Sequence, residues 1–356
     1  MAMELEVKLA TNKREKPDAT KVAFGQHFTD HMFVMDYIDG EGWIRPRIVP
    51  YEPVTLDPAA MIFHYGQTVF EGLKAYRTKD DRILLFRPEK NIARLNRSSA
   101  RMSIPPLDEE KVLSYLKEYI RIEKDWVPKA EGTSLYIRPF IIATEPNLSV
   151  TPSKTYTFMI IASPVGSYYK EGIAPVKIYV EDEYTRAVRG GTGMAKTAGN
   201  YAAAYKAQEK ADELGFSQVL WLDGIEKKYV EEVGSMNVFF KINGEVVTPA
   251  LNGSILEGIT RMSVIELLKD WGVPITERRI SMEEIVAAAE KGELEEAFGT
   301  GTAAVISPIG ELMYKEKTIV INDRKTGELS QKIYDVLTGI QTGKYEDTFN
   351  WTVEIE

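Results

Sequence analysis

RGGTGMAKTAGNY, residues 189 to 201, places Gly190, Gly191 and Gly193 just ahead of Lys196 and then enters Ala198 to Ala211, a segment patterned as a helix. Glycines allow a tight backbone path close to a ligand, and a helix start offers N–H groups to an anion. A lysine held there suits two chemistries: an ammonium set against a phosphate, or an amine that forms a Schiff base with a carbonyl. The plain alternative is a glycine turn followed by a surface lysine.

The phosphate version is a P-loop, G-x-x-x-x-G-K-[ST], which aligns on Gly190 to Thr197 with one mismatch at Ala195, where the second glycine belongs. The run before it, Glu181 to Arg189, is charged rather than the buried strand a P-loop must follow. A Walker-B-like VLWLD at Val219 to Asp223 keeps a nucleotide-binding protein as an alternative, although Asp223-Gly224 also reads as an ordinary turn pair.

The chain has 356 residues, which suggests two domains or one large one. A net charge of −9 argues against a nucleic-acid partner. No cysteine is present, which excludes disulfides and thiolate metal sites, and His27, His31 and His64 lack metal-ligand spacing, so no metal is expected. The first twenty residues are polar, and no apolar run nears membrane-spanning length; a cytoplasmic protein is the expectation.

Along the chain, Met32 to Ile48 reads as a hairpin turned at Asp39-Gly40, and Pro88 opens a helix over Glu89 to Met102. Arg94, Arg97 and Arg101 share one face of that helix, as an anion site or a solvated basic stripe. A second helix is predicted over Glu109 to Trp126. SLYIRPFIIA, Ser134 to Ala143, is a strand with Tyr136 and Arg138 on one face, where an arginine needs an acidic partner from protein or substrate. After the strand Tyr156 to Ser163 comes a glycine- and proline-bearing stretch. It divides a smaller α/β domain, residues 1–165, from a larger one, 177–356, that carries Lys196, with 166–176 as linker. In the larger part, Lys228 to Ile242 holds Glu231 and Glu232 on an apolar strand interrupted by Gly234. A helix starts near Gly258, and Phe298 to Gly310 brings a second glycine and threonine cluster between two elements.

These segments also resemble a family. HYGQTVFEGLKAY, LFRPEKNIARLNRSSARM, SLYIRPF, GNYAAAYKAQ, EEVGSMNVFF, LNGSILEGITR and FGTGTAA are together similar to the branched-chain amino acid aminotransferases, pyridoxal-phosphate enzymes of fold type IV, from about Met32 to Ile340. The resemblance implies an α+β/α/β two-domain fold of the D-amino acid aminotransferase-like kind, with pyridoxal 5'-phosphate at the domain junction. It implies ping-pong transamination between leucine, isoleucine or valine and 2-oxoglutarate. By it Lys196 is the catalytic Schiff-base lysine, Glu232 faces the pyridine nitrogen and Tyr201 the ring oxygen. Arg94, Ile259, Thr260 and Thr302 fall at the phosphate, and Ser235 at the edge of cofactor and substrate. Tyr65, Phe70, Tyr136, Arg138, Tyr168, Thr302 and Ala303 fall around the substrate. Leu148 and Val150 match a loop that reaches a neighbouring subunit's pocket, which implies a homodimer.

Some relatives carry Cys-x-x-Cys after the last glycine/threonine cluster; here those positions are Ala304 and Ser307, so no thiol switch is expected. D-amino acid aminotransferases and aminodeoxychorismate lyases share the fold, and the FGTGTA and YIRP motifs favour the branched-chain group. A fold-type IV aminotransferase of different substrate preference is the alternative within the family.

Overall fold

Asp39-Gly40 turns the chain between strands His31–Ile38 and Gly42–Pro50, with Gly40 at φ 84°, a conformation that costs glycine least. The computed structural model describes residues 4–166 and 173–356. It divides into two units, one within Met1–Tyr168, Ala195–Ala198 and Gly339–Glu356, the other within Tyr169–Met194 and Gly199–Thr338.

The first unit is built on a nine-stranded sheet. Its order runs Glu6–Val7, Gly42–Pro50, His31–Ile38, Thr155–Val165, Ser134–Ala143, Leu73–Arg77, Ile83–Phe86 and Thr352–Ile355, with Thr68–Phe70 also paired to Ser134–Ala143. Two helices pack on it. Pro88 occupies the first turn of Pro88–Arg101, which buries Asn91, Ile92, Arg94, Leu95, Ser98 and Ser99. Asp108 caps Glu109–Ile122 by accepting from the Lys111 N–H at 3.1 Å, and Val112, Leu116, Tyr119 and Ile120 form its buried face. That helix stops at Ile122, and Lys124–Trp126 continues as a short 3₁₀ turn. Phe33, Leu135, Ile137 and Phe158 meet these helices in the core.

The second unit is also nine-stranded, and part of it closes on itself. Val230–Val233, Gln218–Leu222, Val176–Glu181, Val305–Tyr314, Leu294–Gly301 and Met236–Ile242 follow one another by hydrogen bonding, and the last pairs with the first. Such a barrel leaves none of these strands with two open edges and encloses Val180, Leu220, Val238, Phe240 and Leu312.

Two local expectations are corrected. Gly234 does not merely interrupt a strand: it sits at φ 55° in the tight reversal between Val230–Val233 and Met236–Ile242. A Cβ there would lie 1.8 Å from Gln218 Oε1, so beyond the strain of the positive φ the Gln218 side chain would have to move. The helix read over Ala198 to Ala211 is two, Ala198–Ala202 and Tyr205–Glu213. The Ala204 N–H turns to the Tyr201 carbonyl at 3.0 Å, an i→i+3 bond that tightens the backbone between them.

Candidate active site

In the first unit the segment Ala195–Ala198 is stitched to a strand and a helix. The Lys196 N–H donates to Ser98 Oγ at 2.9 Å, and its carbonyl accepts from the Phe70 N–H at 3.0 Å. Thr197 Oγ1 donates to the Thr68 carbonyl at 2.7 Å, and Lys196 Nζ stands 4.9 Å from the Phe70 ring centre. The lysine backbone is therefore held by residues far away in sequence. Because Asp182 to Arg189 lies outside any helix or strand, the buried strand that a P-loop needs before its glycines is missing, and the nucleotide alternative falls.

Phe70, Tyr136 and Arg138 come together in this unit. Arg138 Nη2 donates to Tyr136 Oη at 3.1 Å, and its guanidinium lies 4.7 Å from the Phe70 ring centre and 5.3 Å from that of Tyr136. Arg138 Nε is buried without a hydrogen-bond partner among the described residues. Such an arginine has unused capacity for an anion. Tyr65 is 42% exposed and donates from its hydroxyl to the Leu148 carbonyl, while Leu148 and Val150 are exposed, Val150 by 86%. Tyr168 lies outside the described residues.

The basic stripe on Pro88–Arg101 divides: Arg94 is buried, whereas Arg97 and Arg101 are exposed. Arg94 turns inward because Glu71 meets it, Nε to Oε1 at 2.7 Å and Nη2 to Oε2 at 2.8 Å. Glu71 was not anticipated; a charged residue between Phe70 and Gly72 in a largely apolar motif was the available signal. Phe24 was missed as well, and its ring meets Tyr136 edge-on at 4.7 Å.

The second unit carries Glu232, buried, with Oε1 accepting from the Leu256 N–H at 2.7 Å and Oε2 lying 3.4 Å from Arg186 Nε. Arg186, absent from the sequence expectations, also donates to the Ser254 carbonyl. Glu232 pairs across strands with Asn237, and Asn237 with Thr300, which sets the three in a row on one face. Asn237 Nδ2 holds the Leu256 carbonyl at 2.8 Å, and a Cβ on Gly258 would lie 2.0 Å from Asn237 Oδ1. Gly258 caps helix Ile259–Asp270 without a side-chain bond, and Ile259 and Thr260 are buried in its first turn. Thr302 and Ala303 form the turn between Leu294–Gly301 and Val305–Tyr314, and Val305 follows at φ 63°, strained for a β-branched residue. Ser235 is exposed at its reversal, and Tyr201 is half-buried in Ala198–Ala202.

A model for class IV amino-transferases matches residues 68–312. The chain belongs to the class IV aminotransferases. Enzymes of this family depend on pyridoxal 5'-phosphate. The chain is 65% identical over 99% of its length to branched-chain-amino-acid aminotransferase 2 of Bacillus subtilis, covering 97% of that protein. It is 46% identical to a branched-chain-amino-acid aminotransferase of Mycolicibacterium smegmatis, over 99% of this chain and 98% of the other. A crystal structure of the branched-chain aminotransferase from Thermoproteus uzoniensis with norvaline superposes with a TM-score of 0.76 at 29% identity, over 92% of this chain and 100% of that one.

The residues present suit this cofactor. Thr300 Oγ1 is buried without a partner, the first turn Ile259-Thr260 has no side-chain cap, and the glycine before it lets backbone approach closely. These are donors of the kind a phosphate takes. Among the described residues there is no cluster of metal ligands, and no helix is long and apolar enough to cross a membrane.

Proposed function

We propose that this chain transfers the amino group of leucine, isoleucine or valine to 2-oxoglutarate, giving the branched 2-oxo acids and L-glutamate in a ping-pong sequence, as a cytoplasmic homodimer. The observation that carries the amino-transfer reading is 65% identity, over nearly the whole chain, to a protein named a branched-chain-amino-acid aminotransferase. The Phe70, Tyr136 and Arg138 cluster supports it, since aromatic walls suit a branched aliphatic side chain and a guanidinium suits the second carboxylate of glutamate.

Bound pyridoxal 5'-phosphate supplies an electron sink for the charge left at the substrate's α-carbon. Lys196 is assigned to anchor it and, through Nζ, to take and return the α-proton. Glu232 keeps the proton on the ring nitrogen, and the Leu256 N–H that it accepts orients its carboxylate. Arg94, Ile259, Thr260 and Thr302 are assigned to the phosphate, Tyr201 to the ring oxygen, and Ser235 and Ala303 to the cofactor's substrate side. Tyr65 is assigned to the substrate pocket, and the exposed loop with Leu148 and Val150 to the pocket of a second copy, for which its exposure leaves it available.

The test is direct: purified protein with the cofactor, 2-oxoglutarate and each of the three amino acids should form glutamate. Transfer from aromatic or D-amino acids with none from leucine, isoleucine or valine would select the other family reading.

A further inference from the structure

Glu71 falls in the break between strands Thr68–Phe70 and Leu73–Arg77 and has 0% of its surface exposed. A carboxylate there is costly unless its oxygens are satisfied. Oε1 accepts from Arg94 Nε at 2.7 Å; Oε2 accepts from Arg94 Nη2 and Asn91 Nδ2, both at 2.8 Å, and from the Gly72 N–H at 3.1 Å. Asn91 also donates to the Gly72 carbonyl at 3.1 Å, and the Glu71 N–H donates to the Pro139 carbonyl at 2.7 Å, which ties the carboxylate's support to helix Pro88–Arg101 and strand Ser134–Ala143.

Two parallel charge-assisted bonds fix the plane of a guanidinium as well as its position. They engage the Nε/Nη2 edge of Arg94, so Nη1 points away from Glu71. We propose that Glu71 is a positioning residue for the cofactor phosphate, locking Arg94 into one guanidinium plane before the phosphate arrives. This rests on the assignment of Arg94 to that phosphate. Burial pushes the Glu71 carboxyl up, but the Arg94 guanidinium, with help from Lys196 and Asn91, holds it below the usual carboxylate range, so the clamp is ionised at neutral pH. An unclamped arginine would lose its rotamer freedom on binding the phosphate; the clamped one has already lost it on folding.

The test compares two ligands on the full chain stripped of cofactor, pyridoxal 5'-phosphate and pyridoxal, which lacks the phosphate, titrated by absorbance. Glu71→Gln should weaken pyridoxal 5'-phosphate about tenfold, a loss of roughly 1.4 kcal/mol, and leave pyridoxal little changed. Inorganic phosphate should compete correspondingly less well. Glu71→Asp keeps the charge but is one methylene shorter. It should show a smaller loss of the same kind, and it carries the test if the glutamine variant does not fold. An equal loss for both ligands, a lowered melting temperature with an unchanged ratio of the two affinities, or tighter phosphate binding would each overturn the proposal. Arg94→Gln separates the premises: if it leaves the ratio unchanged, the assignment of Arg94 fails. If it collapses the ratio while the Glu71 variants do not, only the role of Glu71 fails.

Discussion

Arg138→Gln should separate the two substrates of the proposed reaction. In the structure Arg138 gives one hydrogen bond, to Tyr136 Oη at 3.1 Å, stacks on Phe70, and keeps a buried Nε without a partner. Among the described residues no carboxylate pairs with this charge, so the bond that counts is one made to substrate. A charge-assisted hydrogen bond to the second carboxylate of glutamate contributes about 1.5–3 kcal/mol, which is roughly a tenfold to hundredfold loss in kcat/KM when it is removed. Leucine brings no second carboxylate, and its expected loss is the cation–π contact with Phe70, about 0.5–1 kcal/mol. Half-reactions followed by the cofactor's absorbance change, with leucine and with glutamate in turn, measure both. Equal losses for the two amino acids, or a fall in melting temperature with unchanged selectivity, would make Arg138 a structural residue and refute the reasoning.

Lys196→Ala should abolish amino transfer with little change in melting temperature, since the backbone bonds that hold this segment do not involve its side chain; measurable turnover by the pure variant would remove Lys196 from its role. Gly72→Ala would put a Cβ 2.0 Å from Tyr136 Oη. The ring must move and take the Arg138 contact with it, so kcat/KM should fall for both leucine and glutamate, more for glutamate, at a stability cost of about 1–3 kcal/mol; wild-type kinetics would show that Tyr136 has no fixed place. Burial lowers the Lys74 ammonium from 10.5 to about 8. Below pH 8 folding buries a charge. Between pH 8 and 10.5 the unfolded chain holds a proton that the folded one has released, so stability rises with pH there. Lys74→Met should therefore stabilise the fold at pH 7, by on the order of 3 kcal/mol, and raise the melting temperature, with the advantage shrinking as pH approaches 10.5; a pH-independent difference would contradict this.

Local chemistry explains what was legible. The strand Ser134–Ala143 was read with its exact bounds because its apolar pattern ends at turn residues. The hairpin at Asp39-Gly40 and the helix behind Pro88 each announce themselves within four residues of sequence, as about one turn of backbone requires. The motifs that led to the family were equally local, and they put forward Lys196, Arg94 and Glu232 as candidates without a structure.

Helical spacing put Arg94, Arg97 and Arg101 on one face, but the fold turned Arg94 inward, where a buried carboxylate, 23 residues away, supplies its partner, and left Arg97 and Arg101 exposed. The reversal at Gly234 was visible as a glycine. That it lets Val230–Val233 pair with Met236–Ile242 and close a barrel depended on the order of strands distant in the chain. Likewise nothing near Thr352–Ile355 marks it as the partner of Ile83–Phe86. Sequence alone determined many of the elements, the residue types of the motifs and the family, because propensity, turn geometry and residue type are properties of a few neighbours. Tertiary structure alone decided which charges are buried, which side chains clamp them and which strand edges meet, because desolvation and pairing depend on residues that only folding brings together.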